Sequence, residues 1–297
     1  MSKGKGKKQG KAAGIKAFSP LFQCASLLPP ALALFLFFAP GASAQNTDPQ
    51  GMTVETRFRP PAGHERQRAA DDSFAAFLRR LPLKPDGAVV TRHDGRLKPD
   101  RGVYAAVVDL PIGRRDLHQC ADAVMRLRAD YFYALRRFDE IRFHFTSGFL
   151  AEYSRWRRGQ RIAVRGNSAR WVGGGRPGDD PRSYWRYLET VFAYAGTVSL
   201  ARELQGVPGD DPQIGDVFIQ PGRPGHAVIV VDRSIDPANG RKAFLLAQSY
   251  MPAQELQILR NPSDSRLSPW YAAGFGDTLV TPEWTFSAAD RKSFPPQ

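Results

Sequence analysis

The chain has 297 residues, a formal net charge of +13 and two cysteines. This length suits one large domain or two small ones. The sequence contains no internal repeat, no heptad run and no second apolar span, and its basic residues are scattered without a nucleic-acid recognition motif, so nothing indicates nucleic-acid binding.

The first 44 residues have the pattern of a secretory signal peptide. Lysines without any acid precede a short apolar run, Ala31–Ala39, and an Ala-x-Ala sequence ends at Ala44. The apolar run is too short to span a bilayer. We therefore expect cleavage after Ala44, export to the periplasm or cell envelope, and no membrane span afterwards; an uncleaved anchor is the alternative.

Cleavage would leave one cysteine, Cys120, because Cys24 is removed with the signal segment. The net charge would fall from +13 to +7, since the removed segment carries six lysines and no acid. A lone cysteine in an oxidising compartment is buried and inert, paired with another chain, or a functional thiol. The remaining basic excess fits either a solvated surface or contact with an anionic envelope polymer.

The polar segment 45–70 precedes the folded part of the chain. It contains Pro60 and Pro61 and no apolar periodicity, which predicts a flexible leader. Residues 71–297 are then predicted to form a single α+β domain. Its first elements are a short helix at 74–78 and a buried strand at 103–109.

A long helix is predicted from Asp116 to Phe138, and Cys120 lies on its apolar face. Apolar residues at alternating spacings of three and four form this face. A core position is typical of a free cysteine. However, the free amides and the dipole at the start of a helix favour a thiolate. His118 is expected to point away, because residues two apart on a helix do not face each other.

Two further segments lie between this helix and the most informative stretch of the sequence. Residues 165–181 contain five glycines and are predicted to form a loop. Residues 184–195 predict a helix whose aromatic stripe faces the core, which is a more common role for such a stripe than ligand stacking.

The stretch 215–232 predicts a β-hairpin. Its two apolar runs, 217–219 and 227–231, flank a Pro/Gly turn, and His226 stands where the second strand begins. A third strand at 243–247 delivers Gln248, and a fourth is predicted within 250–259. A histidine fixed in this way is a candidate general base if the fold brings Cys120 against it.

Six motifs in the chain resemble the bacterial family catalogued as domain of unknown function 4846. The resemblance covers about residues 81–271 and is carried by Gln119–Arg128, Phe145–Phe149, Tyr194–Leu200, Gly215–Ile219, Gly225–Asp232 and Ala247–Gln254. The family name implies no activity.

A second similarity points to chemistry. A Gly-Asp pair before a strand, and Gly225-His226 opening the next strand, resemble the pattern of NlpC-type and CHAP cysteine peptidases and amidases. This resemblance implies a papain-like α+β fold, in which a Cys helix packs on an antiparallel sheet, here with inserted helices. It also implies Cys120 as nucleophile, His226 as base and Gln248 as the group that orients the imidazole, with Asp216 at a structural position.

These observations predict an exported, cysteine-dependent amide hydrolase that acts on peptidoglycan or another envelope peptide. The alternative is a non-catalytic structural or ligand-binding protein of the cell envelope, with Cys120 buried in its core. No metal or other cofactor is expected, because no His or Cys falls at ligand spacing beside the acidic pairs and no phosphate-binding loop is evident.

Overall fold

The computed structural model describes residues 46–296, so the predicted signal peptide and Cys24 lie outside the described residues. The helices are α1 (Val54–Arg57), α2 (Phe74–Arg79), α3 (Cys120–Ala134), α4 (Tyr153–Arg157), α5 (Pro181–Tyr194) and α6 (Thr197–Glu203). Short 3-10 helices occupy Phe138–Glu140 and Ala288–Asp290.

The strands follow the same order along the chain. They are β1 (Glu65–Arg66), β2 (Tyr104–Val107), β3 (Arg142–His144), β4 (Leu150–Glu152), β5 (Arg161–Arg165), β6 (Ser168–Val172), β7 (Gln205–Gly206), β8 (Val217–Gln220), β9 (His226–Ile235), β10 (Lys242–Gln248), β11 (Gln257–Leu259), β12 (Tyr271–Ala272), β13 (Thr278–Val280), β14 (Thr285–Ser287) and β15 (Arg291–Ser293).

One large antiparallel sheet organises the described chain. Its strand order is β2-β11-β10-β9-β8-β15-β7, while β1 pairs with the end of β9 and β12 with the start of β10. Three two-stranded sheets, β3–β4, β5–β6 and β13–β14, lie outside it. The predicted α+β class is confirmed.

Both faces of this sheet are buried, which explains why its central strands are almost continuously apolar. Along β9, Ala227, Ile229 and Val231 join the apolar cluster that includes helix α3. Val228 and Val230 point the other way, into a second cluster that includes residues of β13 and β14. Side chains on adjacent strand residues therefore contact different layers of the molecule.

The predicted hairpin is present as β8 and β9. These strands pair in antiparallel register, and Gln220 opposite His226 is the pair next to the turn. The third predicted strand is β10, and Gln248 is its last residue. The fourth, β11, is shorter than expected: it spans only residues 257–259, of which 257 and 258 pair with β10.

The prediction of a flexible leader at 45–70 is wrong for the described part of that segment. The side chains of Val54, Phe58 and Arg57 are fully buried. Strand β1 pairs with β9, and Arg66 Nε donates to Asp232 at 2.7 Å. The segment has few apolar residues, but these few and the arginines find partners far along the chain, which a local polarity argument cannot detect.

The prediction of a loop throughout 165–181 is also partly wrong. Residues 161–165 and 168–172 form the β5–β6 hairpin, and the glycine-rich remainder has no regular structure before α5 begins at Pro181. The hairpin strands are only partly buried, so their sequence lacks the clear alternation of a half-buried strand.

Candidate functional site

Cys120 is the first residue of α3, four residues later than the predicted start at Asp116. Gln119 caps the helix, and its backbone amide donates to Asp122 Oδ2 at 3.0 Å. The Asp116 carboxylate instead holds the preceding turn, since its Oδ1 accepts from Gln119 Nε2 and from the backbone amide of Ala253. The thiol therefore occupies the first turn, where helix amides lack intrahelical partners.

The thiol of Cys120 is nearly buried but lies on the wall of a pocket. The residue is 5% exposed, and the adjoining pocket has a volume of about 540 Å³. Burial, with a smaller contribution from the Asp122 carboxylate, raises the thiol pKa to about 11. The backbone amides of Ala227, Ala121 and Cys120 itself act in the opposite direction. At neutral pH the resting group is thus a neutral thiol.

His226 lies at the start of β9 and is completely buried. Its Nε2 is 2.8 Å from Gln248 Oε1, whereas Nδ1 makes no hydrogen bond with any described residue. The rings of Tyr250, Trp284 and Phe286 surround it, with centroids 4.9, 5.3 and 5.9 Å from the imidazole centroid. Burial lowers the pKa of His226 to about 4, so the imidazole is neutral at pH 7.

The structure brings the three predicted site residues to one end of the sheet. Gln248 and His226 are hydrogen-bonded, and the Cys120 thiol lies beside the backbone amide of Ala227, the residue after His226. The imidazole contacts the second apolar layer, whereas α3 packs on the first, so Cys120 and His226 approach the start of β9 from opposite faces of the sheet. No hydrogen bond joins Cys120 to His226 in this arrangement.

His118 and Asp216 are both buried. His118 precedes α3, so the helix-spacing argument for its direction does not apply; its ring packs edge-on against Phe192, and burial lowers its pKa to about 3. Asp216 is also buried, and it accepts from Arg291 at 2.7 Å and from the amide of Gln213 at 2.9 Å. These bonds tie the start of β8 to β15.

Sequence reasoning missed two charged residues in contact with this site. Gln248 Nε2 donates to Glu283 Oε2 at 2.6 Å, and Lys98 Nζ donates to the same oxygen at 2.6 Å. Glu283 lies in the turn between β13 and β14, and Lys98 lies in an irregular segment before β2. No motif signals either residue, because their meeting depends on how the hairpin folds over the sheet.

The helices and the central antiparallel sheet place the protein in the α+β class. The candidate site of Cys120, His226 and Gln248 lies at one end of this sheet. The model of the family described as domain of unknown function 4846 matches residues 54–292, and the chain belongs to this family. No curated protein and no solved structure matches the chain.

Two further findings concern the described residues 46–296. None of their helices is both long and apolar enough to cross a membrane. Within the same range, no group of three or more His, Cys, Asp or Glu side chains is arranged to hold a metal ion.

Proposed function

We propose that the protein is an exported, cysteine-dependent amide hydrolase that acts on peptidoglycan or another peptide of the cell envelope. Cys120 is the nucleophile, His226 the general base and Gln248 the residue that orients the imidazole. The proposal combines the geometry at the end of the sheet with the signal-like N-terminus and the resemblance to NlpC-type and CHAP hydrolases, whose papain-like fold presents these residues in the same order.

The observation that carries the proposal is the state of His226. Its Nε2 is held by Gln248 at 2.8 Å, while its Nδ1 has no hydrogen-bond partner within residues 46–296 even though the ring is fully buried. Buried polar atoms are normally hydrogen-bonded, so each unpaired one calls for an explanation. A base that receives the proton of the Cys120 thiol when substrate binds provides such an explanation.

The proposed reaction uses these three residues. When a substrate carbonyl enters the pocket beside Cys120, the thiol proton passes to His226 Nδ1 and the sulfur attacks the carbonyl carbon. Amides at the start of α3 are available to bind the oxyanion. The imidazolium then returns the proton to the leaving amine, and water, deprotonated by the same base, releases the acid and restores the thiol.

The resting site holds a neutral pair rather than a thiolate and an imidazolium. Burial raises the pKa of Cys120 to about 11 and lowers that of His226 to about 4. The proton therefore moves only when substrate arrives. This step brings the thiol and Nδ1 into a hydrogen bond, and such bonds are often long or misaligned in ligand-free sites.

The test measures new amine groups released from purified peptidoglycan sacculi by the wild-type protein and three variants. Cys120→Ser and His226→Ala are expected to lower the rate by about 10²-fold or more, the usual contribution of a nucleophile or base. His144→Ala is the matched control, since this imidazole is on the surface with its side chain 47% exposed, and it should keep the wild-type rate.

Alkylation of the native protein provides an independent measurement when sacculi are not the substrate. Peptide mapping separates Cys120 from Cys24, and the rate with iodoacetamide is compared between the wild type and His226→Ala. Alkylation of the native Cys120 that depends on His226 supports a catalytic thiol. If Cys120 reacts only after denaturation and no amine is released, the hydrolase proposal is wrong.

The burial of Cys120 supports a second candidate function. A thiol that is 5% exposed and has a pKa of about 11 also fits a non-catalytic envelope protein with a cysteine in its core. This candidate predicts that the wild-type protein releases no amine from sacculi and that Cys120 is alkylated only after denaturation. The two candidates therefore differ in every measurement described above.

A further inference from the structure

A chain of four polar side chains runs from Lys98 to His226. Lys98 Nζ lies 2.6 Å from Glu283 Oε2, the same oxygen lies 2.6 Å from Gln248 Nε2, and Gln248 Oε1 lies 2.8 Å from His226 Nε2. The Lys98 side chain is 4% exposed and that of Glu283 is 21% exposed, so the chain is largely shielded from water.

The ion pair between Lys98 and Glu283 determines how Gln248 and His226 are oriented. A carboxylate that is ion-paired with Lys98 only accepts hydrogen bonds, so Gln248 must turn its amide nitrogen toward Glu283. The amide oxygen of Gln248 then faces His226 and accepts a hydrogen bond. His226 must therefore carry its proton on Nε2, which leaves a lone pair on Nδ1.

We propose that Lys98 and Glu283 are positioning residues that fix the tautomer of His226 through Gln248. Without a carboxylate at position 283, the amide of Gln248 turns either way with similar ease. When its nitrogen faces His226, the neutral imidazole carries the proton on Nδ1 and cannot accept another there. This inference rests on the proposed function only for its catalytic meaning, because the tautomer is measurable in any case.

Lys98 has a distinct role in the chain. A partly buried carboxylate without a counter-ion is costly. The Lys98 ammonium, 2.6 Å away, offsets this cost and holds the Glu283 carboxylate in place beside Gln248.

The sharpest test exchanges the ion pair. The double variant Lys98→Glu/Glu283→Lys keeps opposite charges at the two positions but places a donor, instead of an acceptor, beside Gln248. The amide is then expected to flip and drive His226 to the tautomer protonated on Nδ1. Nitrogen-15 NMR of the histidine ring at pH 7 reports this directly, because a protonated and an unprotonated ring nitrogen have distinct shifts.

The wild type is expected to show a protonated Nε2 and an unprotonated Nδ1, and the exchanged pair is expected to show the reverse. Adding Gln248→Glu to the exchanged pair restores an acceptor opposite Nε2 and should return the wild-type tautomer. An unfolded protein would not recover this tautomer, so the triple variant also controls for loss of folding. If the exchanged pair retains the wild-type tautomer while it remains folded by circular dichroism, the inference is wrong. If that double variant fails to fold, Glu283→Gln is measured instead. A mixture of both His226 tautomers in this variant supports the inference. A His226 proton that is found only on Nε2 overturns it.

Amine release from sacculi separates this inference from the proposed function. If both are right, the exchanged pair lowers the rate by about 10²-fold and the triple variant recovers it. If the tautomer follows the pair but no variant or wild type releases amine, the positioning role stands and the hydrolase proposal fails. If the wild type releases amine from sacculi but the His226 tautomer is the same in the wild type and the exchanged pair, only the positioning role is overturned.

Discussion

At the residue scale, the unusual property of Cys120 is a high thiol pKa at a position that ordinarily lowers it. The start of a helix favours a thiolate through its free amides and its dipole. Here burial outweighs that effect, and the Asp122 carboxylate, which accepts from the capping residue Gln119, adds to the rise. The cap that begins α3 therefore also opposes ionisation of its first side chain.

Replacing Asp122 by asparagine should lower the pKa of Cys120 below its value of about 11. Burial raises the pKa of Asp122 well above its ordinary value, so its charge opposes the thiolate in the alkaline range in which Cys120 titrates. An amide at this position can still accept from Gln119 but carries no charge. At pH 9 the alkylation rate of native Cys120 should rise, by about tenfold for each unit of pKa decrease. The measurement is the rate of iodoacetamide labelling at several pH values up to 11.

Asp130→Asn is the matched control for this prediction. Asp130 is on the same helix and has a raised pKa through burial, but it pairs with Arg126 and Tyr184 and does not contribute to the shift of Cys120. Its replacement should leave the labelling profile of Cys120 unchanged. An unchanged profile in Asp122→Asn would contradict the assigned role of its carboxylate.

At the element scale, the turn between β8 and β9 is determined by close packing at Gly225. A Cβ atom at this position would lie 2.7 Å from Thr197 Oγ1, 2.8 Å from the carbonyl oxygen of Gln220 and 2.8 Å from the amide nitrogen of Gly222. Two of these atoms belong to the backbone and cannot move away without distorting the hairpin. The glycine before His226 is therefore required by the approach of α6 and the turn.

Gly225→Ala should destabilise the protein by about 1–3 kcal/mol, the usual cost of inserting a methyl group into a packed site. Urea unfolding measures the loss. Gly173→Ala is the control, since nothing lies within 4 Å of a Cβ at that position, and it should be close to neutral. Equal stability of the two variants would show that the turn adjusts without cost.

The elements that sequence reasoning predicted correctly are those with strong local patterns. The β8–β9 hairpin and β10 have short continuous apolar runs bounded by turns, and α5 has helical apolar periodicity; both patterns match the burial in the structure. The packed segment 46–66 and the β5–β6 hairpin have weak patterns, since their stability depends on partners elsewhere. Apolar periodicity also predicted a start at Asp116 for the helix that begins at Cys120. The periodicity of apolar residues does not show which residue caps a helix.

The same limit applies to the candidate site. Cys120 was singled out as the one cysteine left after the expected cleavage and His226 by its place at the start of a predicted strand. The resemblance added the role of Gln248, and the fold places all three residues at one end of the sheet. The sequence around Glu283 and around Lys98 contains no motif. Only the folding of β13–β14 over the second face of the sheet brings these residues to Gln248. Residues that act through another residue leave no local signal.

At the scale of the whole molecule, Asp232 joins the N-terminal segment to the centre of the sheet. This carboxylate is fully buried on β9 and accepts from Arg66 at 2.7 Å and from Arg79 at 2.5 Å. The two arginines come from β1 and α2 respectively. One buried charge thus holds two separate elements against the sheet.

Asp232→Asn should destabilise the protein by about 3–5 kcal/mol, because it leaves two partly or fully buried guanidinium groups without their carboxylate. Asp71→Asn is the control, since the Asp71 side chain is 93% exposed and pairs with a surface arginine, Arg80. Such surface pairs contribute about 1 kcal/mol or less. Chemical unfolding of both variants checks the difference, and similar losses would contradict the role of Asp232 as a buried anchor.

The position of β15 has a consequence for the order in which the molecule is completed. This strand, at the C-terminal end of the chain, inserts between β8 and β7, and Glu283 lies only a few residues before it. Pairings between residues far apart in sequence form late in folding, because closing a long loop costs entropy before any contact is gained. The neighbourhood of Glu283 therefore depends on pairings that form late. A chain in which β15 has not yet joined the sheet can hold α3 without Glu283 in place beside Gln248.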